Sequence, residues 1–299
     1  MTPTADPAPP VFAGARDRLV RRLGEPAVLV CGIVNVTPDS FYDGGRYQDP
    51  ARAVDHGHTL VAEGAEMLDV GGESTRPGSH PPSVAEEIAR VIPVIDALAH
   101  TTSVPVSVDT SRPEVMREAV AAGAVMINDV RALRLRGALD AAAALKVPVC
   151  LMHMQGEPAT MQIAPTYYDV VGEVHRFLVG RVENCLAAGI AREHLMLDPG
   201  FGFGKTLEHN LALLGGLRSI ANLGYPVLAG LSRKGMLGAI TGRAVTDRLA
   251  ASVAAAVVAA QQGASILRVH DVAATVDAIA VIQAVDIARA ASTKYPQLI

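Results

Sequence analysis

The sequence predicts an α/β fold, a single (β/α)₈ TIM barrel with a short flexible N-terminal extension. Eight apolar runs of strand length alternate with eight segments of helical periodicity in residues 26–292. The runs are nearly continuous in apolar residues, which is typical of parallel strands buried on both faces. Eight units is the number that closes a barrel, and an open doubly wound sheet is the alternative. Half of the 299 residues are hydrophobic, enough for one large core.

The elements follow one another regularly along the chain. The expected strands are Val28–Val34, Met67–Val70, Val104–Val108, Val125–Ile127, Val147–Met152, Leu195–Leu197, Pro226–Leu231 and Ser265–Val269. The expected helices are Pro50–Glu63, Ser83–Ala99, Pro113–Ala122, Gly137–Leu145, Tyr168–Ala188, Leu207–Asn222, Thr246–Gln261 and Val272–Ala291. Proline in the first turn and glycine after the last turn bound several helices. Residues 1–25 form the flexible extension, which we expect to become ordered near Leu19.

Composition excludes several classes of protein. The net charge is −4 without a basic stripe, and there is no Trp, which argues against a nucleic-acid partner. No apolar run approaches the roughly 20 residues of a membrane-spanning helix, and no hydrophobic signal core begins the chain, so we expect a cytoplasmic protein. Cys31, Cys150 and Cys185 are unclustered, which favours buried thiols over a disulfide or a zinc site.

All eight apolar runs end in polar residues. Along the chain these are Asn35, the loop after Val70, Asp109, Asn128-Asp129, His153, Asp198, Ser232-Arg233-Lys234, and Arg268 with His270. In a barrel these ends converge on one face, which is where catalytic residues lie. The set therefore predicts an active site at this face.

The residue types at the strand ends suggest a ligand. Asp109, Asn128 and Asp198 combine acceptors with an amide, a set that suits a flat heterocycle bearing N–H donors. Lys234 could contact a carbonyl oxygen of such a ring, form a Schiff base, or simply be a surface lysine at a helix start. Arg268 and His270 lie two apart on one strand and face the same side.

With Asn35 beside them around the closed barrel, Arg268 and His270 could hold a phosphate or pyrophosphate. Magnesium is then plausible, because it often binds through phosphates and few protein ligands. The run from Gly200 to Thr206 resembles a phosphate-binding P-loop, but that motif requires glycine at position 199, which is Pro199.

Several longer motifs together carry a resemblance to a known family. They are Gly32-Ile-Val-Asn-Val-Thr-Pro-Asp-Ser-Phe41, Asp69-Val-Gly-Gly-Glu-Ser-Thr-Arg-Pro-Gly78, Ser107-Val-Asp-Thr110, Ile127-Asn-Asp129, Leu197-Asp-Pro-Gly-Phe-Gly-Phe-Gly204, Ser232-Arg-Lys234 and Arg268-Val-His-Asp271. In this order, from about Val28 to Ala291, the chain resembles the bacterial dihydropteroate synthases. The resemblance implies a pterin-binding barrel over residues 26–292. It also implies condensation of 6-hydroxymethyl-7,8-dihydropterin diphosphate with 4-aminobenzoate to give 7,8-dihydropteroate and pyrophosphate.

The resemblance also implies a role for individual residues. Those holding the pterin would be Asp109, Asn128, Asp198 and Lys234, with Met152 packed on the ring. Asn35 would bind Mg²⁺, and the diphosphate would contact Arg268 and His270. Those shaping the aminobenzoate site would be Thr75, Arg76, Pro77, Phe41 and Phe203, with Ser232 at its carboxylate. The catalytic residues would be Asp109, Lys234, Arg268 and His270.

The same resemblance implies a dissociative path without a covalent enzyme intermediate, competition by sulfonamides, and a homodimer formed through the late helices. The loop Gly71–Pro82 is expected to act with the loop Thr37–Tyr47 as a mobile gate over the second substrate. Two rival hypotheses are a methyltetrahydrofolate-dependent methyltransferase and a non-catalytic pterin-binding homologue. Arg268, His270 and the complete set of site residues argue against both.

Overall fold

Eight parallel strands form the barrel in the computed structural model, which describes residues 10–37, 50–74, 81–158 and 160–294. The strands are β1 (Leu29–Asn35), β2 (Met67–Gly71), β3 (Val106–Asp109), β4 (Met126–Asp129), β5 (Val149–Met152), β6 (Leu195–Asp198), β7 (Leu228–Ala229) and β8 (Ile266–Val269). Their order in the sheet is β6-β5-β4-β3-β2-β1-β8-β7. A single bridge between Leu197 and Val227 joins the two edges, so the predicted barrel is confirmed.

Helices follow the strands and cover the outside of the sheet. They are α1 (Pro10–Leu23), α2 (Pro50–Ala62), α3 (Val84–Thr101), α4 (Pro113–Ala121), α5 (Ala138–Leu145), α6 (Val170–Ala187), α7 (Leu207–Gly215), α8 (Leu217–Ala221), α9 (Gly235–Thr241), α10 (Leu249–Gln261) and α11 (Val272–Lys294). Among the described residues, none of these helices is both long and apolar enough to cross a bilayer.

Two helical segments differ from the prediction. The segment expected at 207–222 is divided into α7 and α8 at Gly216, where a Cβ atom would lie 2.8 Å from a methyl group of Val171. This close approach to α6 explains the glycine and the break. The short helix α9 directly after Lys234 was not among the expected helices, because its seven residues carry little periodic signal.

Within the predicted extension, the described residues from Pro10 already form helix α1, ahead of the start of order expected near Leu19. Phe12, Leu19 and Leu23 of α1 are buried in a cluster with the lower interior residues of the barrel, including Cys31 and Met67. Helix α1 therefore closes the amino end of the barrel, and burial of its apolar face accounts for the order. The cysteines are free and buried, as the sequence predicts.

Candidate active site

The carboxyl ends of the strands bring the predicted polar residues to one face of the barrel. Because strand side chains alternate, Asp69 and Gly71 lie on the same face of β2. Gly71 pairs in register with Asp109, and Asp109 pairs with Asn128, so Asp69, Asp109 and Asn128 share one face of the sheet. Farther around, Met152 pairs with Asp198. Four predicted pterin contacts thus occupy the ends of four consecutive strands, β3 to β6.

An arginine from β8 reaches two carboxylates on β2 and β3. Arg268 Nε donates to Asp69 Oδ2 at 2.5 Å, and its Nη2 donates to Asp109 Oδ2 at 2.9 Å. Burial acts to lower the pKa of Arg268, but the two carboxylates raise it overall, so the guanidinium stays charged. Burial raises the pKa of Asp109 to about 7 against the opposing charge of Arg268.

Asp69 organises this part of the interior, although no role is predicted for it from the sequence. Its Oδ1 accepts a hydrogen bond from Ser107 Oγ at 2.5 Å, and its Oδ2 accepts one from Asn128 Nδ2 at 3.0 Å. One N–H group of the Asn128 amide is therefore engaged, and the amide oxygen can accept a hydrogen bond from a ligand. A period-two reading of β2 could have found Asp69, since it is an acidic residue inside an otherwise apolar strand.

Asp198 lies between a backbone donor and several cations. Its Oδ1 accepts a hydrogen bond from the Gly200 amide at 2.7 Å. Burial raises the pKa of Asp198 to about 6, whereas that hydrogen bond and the charges of Lys234 and Lys205 oppose the increase. The carboxylate form is therefore the main one at neutral pH, where it can accept hydrogen bonds from ring N–H groups.

Lys234 caps α9 and points toward the aromatic ring of Phe203. Its Nζ lies 4.2 Å from the ring centroid, a cation–π contact. Burial lowers the pKa of Lys234 to about 8, although Asp198 raises it. Lys234 is thus mainly an ammonium at pH 7 and can donate hydrogen bonds to a ligand oxygen.

His270 and Ser232 are coupled at the ends of β8 and β7. The Nδ1 atom of His270 lies 3.1 Å from Ser232 Oγ, and the His270 amide donates to the same oxygen at 3.2 Å. Burial and the charge of Arg268 lower the pKa of His270 to about 3, so the imidazole is neutral. A neutral imidazole can still donate one hydrogen bond to an anion.

An apolar wall borders this polar face. Met152 and Phe203 belong to a small buried cluster that also contains Val130, Met154 and Met161. The cluster is separate from the main core. It brings together Met152, which was predicted to pack on the pterin, and Phe203, which was predicted to shape the aminobenzoate site. Such an arrangement of apolar wall and convergent polar groups is typical of a small-molecule site.

Of the remaining predicted residues, Asn35 lies within the described part of the chain. Asn35 ends β1, in register with Gly71. Phe41, Thr75, Arg76 and Pro77 lie outside the described residues, as do most of the two loops expected to form a gate, and those predictions stay predictions.

The backbone on either side of residues 75–80 is held by arginines. Arg90 Nη1 donates to the Gly72 carbonyl at 2.9 Å, and Arg112 donates to the Pro82 carbonyl.

Asp129 points away from the site. Its carboxylate accepts hydrogen bonds from the Arg131 and Leu133 amides at 2.8 and 2.7 Å, so its role is to shape the loop after β4.

Comparison with known proteins identifies the family. The sequence profile of the pterin binding enzymes matches residues 31–270. The dihydropteroate synthase of Escherichia coli K12 is 53% identical over 255 residues, which is 85% of this chain and 90% of that enzyme.

Solved structures agree with this match. The Xanthomonas albilineans dihydropteroate synthase with 4-aminobenzoic acid is 59% identical, with a TM-score of 0.83 over 87% of this chain and 93% of that one. The same enzyme with 7,8-dihydropteroate is 57% identical, with a TM-score of 0.80 over 87% and 94%. The Yersinia pestis dihydropteroate synthase with a sulfonamide drug is 49% identical, with a TM-score of 0.84 over 88% and 95%. This chain therefore belongs to the pterin binding enzyme family, and within it to the dihydropteroate synthases.

Proposed function

We propose that this protein condenses 6-hydroxymethyl-7,8-dihydropterin diphosphate with 4-aminobenzoate to form 7,8-dihydropteroate and diphosphate. The observation that carries the proposal is the row of acceptors Asp109, Asn128 and Asp198 beside the cations Lys234 and Arg268 at one end of the barrel. Solved relatives hold 4-aminobenzoic acid or 7,8-dihydropteroate, a substrate and the product of this reaction.

The acceptors match the donors of a reduced pterin. Asn128 presents its amide oxygen because its nitrogen donates to Asp69, and Asp198 has Oδ2 available because Oδ1 accepts from Gly200. Ring N–H and amino groups of a pterin would donate to these atoms, while the Lys234 ammonium would donate to a ring oxygen. Met152 would pack on one face of the ring.

The leaving group would be stabilised at the other side of the site. A guanidinium has five N–H groups, and two of those of Arg268 bond to Asp69 and Asp109, which leaves three that make no bond to the described residues. These donors and neutral His270 would contact the diphosphate and the negative charge that grows on it as the carbon–oxygen bond breaks.

Positive charge grows meanwhile on the pterin methylene carbon, where the Asp109 carboxylate would offset it. The amine of aminobenzoate then attacks this carbon without a strong base, and it loses its proton after the carbon–nitrogen bond forms. Ser232 would meet the aminobenzoate carboxylate, and Phe203 would pack on its ring. No covalent bond to the enzyme is needed.

Magnesium is part of this proposal, with Asn35 as its protein ligand. In the described part of the chain, no group of three or more His, Cys, Asp or Glu side chains could hold a metal ion. An amide oxygen at a strand end fits Mg²⁺ that takes most of its ligands from diphosphate and water. When bound, the ion would neutralise charge on the diphosphate.

Replacing Asn35 by Ala is expected to raise the magnesium concentration for half-maximal turnover about tenfold, because one direct ligand is lost. The KM for aminobenzoate should stay unchanged. Titration calorimetry should detect Mg²⁺ binding in the presence of diphosphate and none with the protein alone. Tight binding of Mg²⁺ to the protein alone would contradict the assignment.

We further propose a homodimer formed through the late helices. Val258 of α10 and Val281, Val285 and Ile287 of α11 are exposed large apolar side chains. Exposed apolar patches of this kind commonly mark protein interfaces. Sedimentation velocity should give twice the 31.1 kDa of the chain, and Val281→Glu with Ile287→Glu should give the monomer mass.

Release of pyrophosphate that depends on both substrates and on Mg²⁺ is the test of the function. Sulfonamides should inhibit it competitively with aminobenzoate. A methyltransferase, which is the alternative function, would instead consume methyltetrahydrofolate and release no pyrophosphate. Folded protein that releases none with both substrates present would refute the proposed function.

A further inference from the structure

The segment 199–206 between β6 and α7, the β6–α7 loop, contains a buried lysine that the proposed mechanism does not use. Lys205 is only 3% exposed. Its Nζ donates to the carbonyl oxygens of Gly200 at 2.8 Å and Phe203 at 3.0 Å, and lies 3.0 Å from His153 Nδ1. The lysine of the P-loop-like run is thus turned into the protein, away from any position where it could meet a phosphate.

The polar atoms around Lys205 Nζ fit its ammonium form, whereas burial opposes it. Burial lowers the pKa of Lys205 to about 7, while the carboxylate of Asp198 raises it. Burial and the charge of Lys205 lower the pKa of His153 to about 3, so the imidazole is neutral and can accept at Nδ1. Three close acceptors surround Nζ, with the His153 carbonyl oxygen a fourth at 3.5 Å, and only the ammonium has three N–H groups to donate to them.

The β6–α7 loop is folded closely around this ammonium. Gly200 and Gly204 have φ values of +70° and +62°, and Cβ atoms there would lie 1.9 Å from the His153 carbonyl oxygen and 2.3 Å from that of Gln155. Only glycine fits such an approach. Tyr167 Oη donates to the Gly204 carbonyl at 2.8 Å, which holds the loop from the other side.

We propose that Lys205 is a positioning residue for the reaction: its ammonium is the internal ligand around which the β6–α7 loop folds, and it thereby places Phe203 and the Gly200 amide that donates to Asp198, with its positive charge beside that carboxylate. The inference rests on the proposed function, because Asp198 and Phe203 act on the substrates only in that reaction. Lys205 itself touches no substrate.

Among the described residues, three cations and two neutral groups lie around Asp198. These are Lys205 from the same loop, Lys234 at the start of α9, and Arg268 on β8, all cationic; Cys150 on β5 is a buried neutral thiol, and His153 after β5 is neutral. Lys234 and Arg268 also bind substrate in our proposal, so their charges are partly neutralised in the complex. Lys205 is the cation whose partners are all internal.

The test uses the full-length protein and reads Asp198 directly. The ¹³Cγ resonance of Asp198, assigned through Asp198→Asn in ¹³C-aspartate-labelled protein, is followed from pH 4 to 9. In Lys205→Met the pKa of Asp198 should rise by about one unit, because a nearby buried cation is lost. The kcat/KM for dihydropterin diphosphate at pH 7 should fall about tenfold or more, as expected when a binding group is misplaced.

Lys205→Gln separates charge from hydrogen bonding. Its amide keeps two N–H donors for the loop carbonyls, so it should fold even if Lys205→Met does not, and it should show the same rise in the pKa of Asp198. Lys146→Met, which removes an exposed lysine, is the matched control and should leave both readouts unchanged.

A wild-type pKa for Asp198 in folded Lys205→Gln would overturn the proposal, and so would unchanged kcat/KM in both Lys205 variants. Failure of the proposed function looks different. In that case the wild-type protein would release no pyrophosphate, while the ¹³Cγ titration would still report whether Lys205 controls Asp198.

Discussion

Replacing Asp109 by Ala or Asn is expected to lower kcat/KM for dihydropterin diphosphate at least about thousandfold while the protein stays folded. The carboxylate ends β3, bonds to Arg268 at 2.9 Å, and would face the carbon on which positive charge develops. Asn has nearly the same shape but no charge, so the two variants should lose similar activity if the charge is what matters. Pyrophosphate release measures the loss, and circular dichroism reports the fold.

Asp140→Ala is the matched control, because Asp140 is an exposed aspartate in the first turn of α5 and is not one of the predicted site residues. It should retain wild-type kinetics. An Asp109→Asn variant with more than about a tenth of wild-type kcat/KM would show that another group offsets the charge.

The pH dependence follows from the raised pKa of Asp109, about 7, and that of Asp198, about 6. Turnover needs both carboxylates, so it should decline as the pH falls through 7 and then 6, and the upper step should be absent in Asp109→Asn. Stability should change in the opposite direction. A carboxyl group with a raised pKa in the folded state stabilises it at low pH, and this contribution is lost as the pH rises through the folded-state pKa. The Tm of Asp109→Asn relative to wild type should therefore increase between pH 5 and 8.

Replacing Arg268 by Ala should have two separate effects, which the structure explains. The affinity for dihydropterin diphosphate should fall at least about thirtyfold, because charge-assisted bonds to the diphosphate are lost. The free energy of unfolding should also fall by about 3–5 kcal/mol, because Asp69 and Asp109 are left as unpaired buried carboxylates. Calorimetric titration and thermal denaturation measure the two effects.

Arg22→Ala is a matched control for the stability effect. Arg22 bonds to Glu66 at 2.8 Å at the amino end of the barrel, remote from the site. Its loss should lower the Tm while leaving the substrate affinity unchanged. A second variant, Arg268→Ala with Asp69→Asn, should recover part of the lost Tm without recovering affinity. Unchanged diphosphate affinity in folded Arg268→Ala would refute the assignment of Arg268 to the leaving group.

The sequence predicted most of the architecture because the strand and helix signals are local. Apolar runs identified all eight strands to within a few residues, and terminal glycines identified helix ends. The exceptions are informative. Gly216 divides a predicted helix because of its contact with Val171 on α6, and α1 is ordered because Phe12 and Leu19 find a buried cluster at the amino end of the barrel. Both depend on contacts distant in sequence.

By itself, the sequence determined the repeated βα pattern, the polar residue at every strand end and the motifs of the family. These features depend on residues that are close in sequence, because the alternation of side chains and their burial produce a local pattern of apolar and polar residues. Only the tertiary structure decided which of these polar groups meet. Arg268 reaches Asp69 and Asp109 across separations of 199 and 159 residues because barrel closure places β8 beside β1. Lys205 turns inward because the β6–α7 loop supplies its ammonium with acceptors, an outcome that no local pattern around Gly204 and Thr206 specifies.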